Sequence, residues 1–169
     1  MMTIGHINRL SPDDFIATFA DIAEHSPWVA ARAAERRPFS HRAAMVDAFQ
    51  QVVRMADEAE QFALLRAHPD LAGRAARAGQ LTSDSALEQK GVGLDTLSDD
   101  EFARFHTLNE DYRSRFGIPF IYAVKGATKH DILAAFEARL NATQCEEFMT
   151  ALTQVLRIIR FRLTDRVAD

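Results

Sequence analysis

Phe120-Ile121-Tyr122-Ala123-Val124 is the only strand-like run in this 169-residue sequence. Its aromatic and β-branched residues favour pleated backbone. One isolated strand has no partner for its backbone hydrogen bonds, so the run cannot make a sheet. The fold class is therefore set by what flanks it, and the flanks are helical. Upstream, Ser98 and Glu101 form a capping box. Phe102, Phe105, Leu108, Tyr112 and Phe116 then follow at helical spacing, and Gly117 stops the helix. Downstream, Thr128 caps a helix with Ile132, Leu133, Phe136 and Leu140 inward, stopped by Asn141. Thr143 and Glu146 form a last capping box. The helix it opens buries Phe148, Leu152, Val155, Leu156, Ile159 and Leu163.

The first half reads the same way. Ser11-Pro12-Asp13-Asp14 supplies a cap, a first-turn proline and two acids, followed by Phe15, Phe19, Ile22 and Ala23. Pro27 and Trp28 open a short helix that Pro38 stops, and Ser40 caps one carrying Val46, Phe49, Val52 and Val53. Asp57 and Glu60 restart the chain into a helix with Phe62, Leu64 and Leu65. Pro69 disfavours helical backbone at the residue before it, so that helix should end near His68. A short Ala/Arg segment ends at Gly79; Thr82, Ser83 and Asp84 are caps for a short helix that Gly91 and Gly93 end. The expectation is an all-α, single-domain bundle of about eight helices over residues 1–169.

Composition supports helix and narrows the function. The chain holds 28 alanines against seven glycines and five prolines. A net charge of −4 argues against nucleic acid as a partner, because such binders carry a basic stripe. The single Cys145 excludes an intramolecular disulfide and a multi-cysteine zinc site. No apolar run approaches the ~18 residues of a membrane span, and neither end carries a signal peptide or lipidation motif. A cytoplasmic location without membrane attachment is expected. Of the 20 basic residues 17 are Arg, read either as composition bias or as a preference for binding carboxylates.

Three patches could carry chemistry. In Ala67-His68-Pro69-Asp70-Leu71 the His stands at a helix end, where its ring can project and exchange a proton near neutral pH; taken alone, the plainer reading is a helix-terminal His aided by the dipole. Ser85, Glu88 and Gln89 share one helix face, presenting a hydroxyl, a carboxylate and an amide, either to a ligand or simply to solvent. In the last helix Arg160 and Arg162 border the apolar stripe on opposite sides while Arg157 points away. Periodicity does not choose between Arg160 and Arg162. No phosphate loop, zinc helix or nucleophile elbow is present.

These residues, with others, resemble the 2-oxo-4-hydroxy-4-carboxy-5-ureidoimidazoline (OHCU) decarboxylases of urate breakdown. The matching features run in order along the chain. They are Ser26-Pro27-Trp28-Val29, Arg37-Pro38-Phe39, Leu65 to Gly73, Ser85, Glu88-Gln89 and Gly93-Leu94. Leu108-Asn109, Tyr112, Phe116 to Ile121, Val124-Lys125-Gly126 and Arg162-Leu163 complete them. The resemblance implies an all-α homodimer that converts OHCU to (S)-allantoin and CO2 without a cofactor or metal. It implies that His68 and Glu88 are catalytic. Pro69, Ser85, Gln89 and Arg162 would contact substrate, and Phe120 and Ile121 would offer backbone hydrogen bonds. A bacterial, stand-alone form is implied as well. Two other readings compete: a helical interaction module that has lost the chemistry, and an enzyme acting on another ureido or imidazoline acid.

Overall fold

The computed structural model describes residues 1–169, with Ala75 and Arg77 described for their backbone only. The element order is β1 (Met2–Thr3), α1 (Ile4–Ile7), α2 (Pro12–Phe19), α3 (Pro27–Ala34), α4 (Arg42–Met55) and α5 (Glu58–Ala67). It continues with α6 (Arg74–Arg77), α7 (Ser83–Gly91), α8 (Asp99–Phe116), α9 (Lys129–Arg139), α10 (Gln144–Arg166) and β2 (Val167–Ala168). Helices α1 and α6 are single turns of four residues, which leaves eight helices of eight residues or more among the described residues. The protein is all-α, as the helical patterning predicts. No described helix is long and apolar enough to cross a membrane.

Most caps fall where the sequence places them. Ser11, Thr82, Ser98 and Thr128 each accept a backbone N–H in the first turn, and Ser98 and Thr128 complete reciprocal boxes with Glu101 and Asp131. The cap of α4 differs from expectation: the side chain of His41, not Ser40, accepts the Ala44 N–H, at 3.1 Å. The helix begins one residue later than the Ser signal suggests, and an imidazole nitrogen serves as the acceptor. The 120–124 run forms no strand; the described sheet is instead β1 paired in parallel with β2, Met2 opposite Val167. Two-residue strands lie below what alternation can reveal.

The chain divides into two compact units, residues 1–67 with 155–169 and residues 68–154. In the first, α2 packs on α3 and α3 on α4. Its core centres on Phe15, Phe19 and Phe49, with Phe15 and Phe19 centroids 4.9 Å apart. Arg37 joins that core, its guanidinium 4.8 Å from the Phe15 centroid and donating to Leu10 O at 2.6 Å. Asn8 and Phe39 exchange two hydrogen bonds of 2.8 and 2.9 Å. In the second unit α8 packs on α9 around Phe105, Tyr112, Phe116, Phe120 and Phe136. Each such buried aromatic contributes about 1.5–3 kcal/mol through the area withdrawn from water.

Candidate active site

Helix α5 ends at Ala67, so His68 leaves the helix just before Pro69, where proline sterics disfavour helical backbone. His68 is buried and Pro69 half-buried. The segment that follows is clamped from two helices. On α7, Gln89 Oε1 accepts the Ala72 N–H at 2.9 Å, and Gln89 Nε2 donates to Asp70 O at 3.4 Å. On α8, Asn109 Nδ2 donates to Leu71 O at 2.8 Å, and Arg113 pairs with Asp70 at 2.7 Å. Every residue from Asp70 to Ala72 is therefore held by a side chain.

The clamped segment is also strained. Ala72 has φ of +51°, a left-handed conformation that costs a non-glycine residue about 1–3 kcal/mol. At Gly73 an added Cβ would lie 2.8 Å from Asp70 Cβ, too close for any side chain. Such strain persists only where the surroundings over-determine it, and the four clamping bonds do so.

The predicted polar face of α7 is present. Ser85 and Gln89 are buried and Glu88 is half-buried. Gln89 uses one lone pair of its carbonyl oxygen on Ala72 and one Nε2 proton on Asp70 O, which leaves one proton and one lone pair for a ligand. Its structural use was not visible in the sequence. A cavity of about 350 Å³ borders Ala72, Gly73, Leu81, Gln89, Leu94 and Phe102. Neither His68 nor Glu88 lines it, so it is not where those two side chains would meet a ligand.

Phe120 and Ile121 are buried between α8 and α9. Ile121 O accepts from Arg139 on α9 at 2.7 Å. In the first unit, Arg162 is buried and Arg160 exposed, which resolves the ambiguity of the helical wheel. Arg162 donates to Glu24 at 3.0 Å and to the carbonyl oxygens of Asp21 at 3.3 Å and Ile22 at 3.5 Å. Glu24 is itself buried, 2% exposed, and escaped sequence reasoning because it follows α2 with no motif around it. Cys145 is exposed near the start of α10. Among the described residues no three His, Cys, Asp or Glu side chains gather as metal ligands.

A buried imidazole next to a clamped polar loop suits proton transfer on a small, hydrogen-bonding ligand, and the scaffold that carries it is mostly helical. The chain belongs to the OHCU decarboxylase family, whose profile matches residues 8–164 and so runs through both units. It is 43% identical over 168 residues to a 2-oxo-4-hydroxy-4-carboxy-5-ureidoimidazoline decarboxylase from Haloferax volcanii, covering 99% of this chain and 98% of that one. It is 39% identical to a uric acid degradation bifunctional protein from Bacillus subtilis, matching 100% of this chain but 33% of the longer one. In structure it resembles an (S)-allantoin synthase with a TM-score of 0.81 at 30% identity, over 99% of this chain and 54% of that one.

Proposed function

We propose that this chain decarboxylates OHCU to (S)-allantoin and CO2, the step that closes the route from urate to allantoin, and that it does so as a carboxy-lyase without a cofactor. The observation that carries the reading is His68, buried and followed directly by a loop that four hydrogen-bonding and ionic contacts fix in a strained shape. The family match across nearly the whole chain supplies the substrate class.

The chemistry fits that site. The substrate carbon bears a hydroxyl and a carboxylate and adjoins a C=N bond. As the bond to the carboxylate breaks, its electron pair flows into the C=N, and CO2 leaves. The hydroxyl proton departs as a carbonyl forms, and a proton arrives on the neighbouring carbon from one face. The substrate carries its own electron sink, so proton management is what the protein must supply. His68 would move the protons, and Glu88 would orient His68 or hold the substrate hydroxyl. Ser85 and the amide of Gln89 would read the ureido and ring amide groups, with Pro69 packing beside them. Backbone groups of Phe120 and Ile121 would bind polar substrate atoms, and Arg162 would receive a carbonyl oxygen or developing negative charge.

The test generates OHCU from urate in the presence of this protein and follows circular dichroism. Faster appearance of (S)-allantoin, unchanged by a chelator, is the expected result. An unaltered, racemising background contradicts the assignment, and loss of rate on chelation contradicts the cofactor-free part. We further propose that the 169 residues act as one domain, that the chain is cytoplasmic and that it forms a homodimer, as the family resemblance implies. A single-chain mass by light scattering would contradict the dimer.

The clamped loop gives a second expectation. Gly73→Ala should lower kcat/KM about tenfold or more, because its Cβ displaces Asp70 and a misplacement of about 1 Å at a site can cost 100-fold. Unchanged kcat/KM with intact helicity would remove this loop from the site.

A further inference from the structure

The mechanism above leaves unused a buried ionic cluster in the second unit. Arg139 on α9 donates through Nε to Glu147 Oε1 at 2.7 Å and also through a terminal nitrogen to the same oxygen. The Tyr112 hydroxyl donates to that oxygen too. Burial, and then the bond to Glu147, push the Tyr112 phenol above its usual range, so it stays protonated as a donor. Glu147 is 1% exposed, yet its second oxygen, Oε2, has no hydrogen-bond partner among the described residues.

That arrangement is not what an ion pair alone would adopt. A guanidinium serving only a carboxylate takes both oxygens in parallel bonds. Here three donors crowd one oxygen, and the remaining arm of Arg139 reaches Ile121 O at 2.7 Å. The same guanidinium lies 4.4 Å from the Phe120 ring centroid, while Phe136 stacks on that ring at 3.6 Å. Arg139 thus grips two consecutive residues, one by its carbonyl and one by its ring. Their own N–H groups have no hydrogen-bond partner among the described residues, although buried backbone donors are nearly always paired.

We propose that Arg139, aimed by Glu147 and Tyr112, is a positioning residue that fixes the backbone of Phe120 and Ile121 to present donors to the substrate. The proposal rests on the decarboxylase reading above. It adds three residues to the reaction that touch no substrate themselves and act through the loop they hold.

The test compares steady-state kinetics of wild type, Arg139→Lys, Glu147→Gln and, as a stability control, Phe105→Leu. Lysine keeps the charge but cannot span Glu147 and Ile121 while stacking on Phe120. Arg139→Lys should raise KM for OHCU about tenfold and leave kcat within about threefold, the split expected when binding contacts are misplaced. Glu147→Gln keeps the shape, loosens the aim and should raise KM in the same direction, which serves if Arg139→Lys fails to fold. Phe105→Leu should lower Tm without moving KM, since the Phe105 ring meets Phe136 edge-on and stands one ring removed from Phe120. Unchanged KM in the folded variants, or an equal rise in Phe105→Leu, overturns the proposal alone. A wild-type chain that leaves OHCU untouched overturns the decarboxylase reading and this proposal together.

Discussion

His68→Asn should reduce turnover of OHCU by roughly 10²–10⁴-fold, the usual contribution of a positioned general acid–base. Asparagine retains polarity and approximate size but does not titrate, so the loss isolates proton transfer from packing. His68 lies one residue beyond α5, and asparagine keeps its backbone N–H. The far-ultraviolet circular dichroism of the variant should therefore match wild type. The loss should fall mainly on kcat, because proton transfer belongs to the transition state. Near-normal turnover in the folded variant would take His68 out of the mechanism and shift attention to Glu88, the other titratable member of the proposed pair.

The second large effect concerns Arg162. Its side chain is 3% exposed and that of its partner Glu24 1%. Arg162→Ala removes the guanidinium that pairs with the buried Glu24 carboxylate at 3.0 Å, a loss of about 3–5 kcal/mol for pairs of this kind. Arg160→Ala removes an exposed side chain and should change stability by no more than about 0.5 kcal/mol. Turnover should follow the same order, with Arg162→Ala far more damaging. Stability and function can then be separated. The double variant Glu24→Leu, Arg162→Met removes both charges and should recover much of the lost stability. It should not recover turnover, because no cation remains to meet substrate oxygen. Recovery of both would make the pair purely structural, and a greater loss of turnover in Arg160→Ala would place the functional arginine on the other side of the stripe.

Local chemistry made most of the helical architecture legible in advance. Caps such as Ser98 with Glu101 act within four residues, so their signal survives in a bare sequence. The left-handed Gly117 that ends α8 is equally local. What escaped depends on partners distant in the chain. Arg162 and Arg160 are equivalent on a helical wheel until Glu24, 138 residues away, chooses between them. Gln89 looks like a free polar group until Ala72 claims its oxygen. The 120–124 run has the composition of a strand, yet its groups go to side chains: Ile121 O to Arg139 and Ala123 N–H to Gln154. Asp131 completes a box at α9 that the Thr128 signal only half announces.

The division of the chain bears on the order in which it can assemble. Residues 68–154 form a continuous stretch, so every contact inside that unit is available once Gln154 has left the ribosome. The other unit is assembled from residues 1–67 and 155–169, and its parallel pair joins Met2–Thr3 to Val167–Ala168 at opposite ends of the sequence. Arg42 adds to this closure by donating to Val167 O and pairing with Asp169. The 1–67 segment must therefore wait for residues 155–169, with Gln50 and Asp21 lacking their partners on α10, Leu156 O and Arg162, until those residues emerge. Vectorial synthesis thus completes the inserted unit first and the interrupted one last.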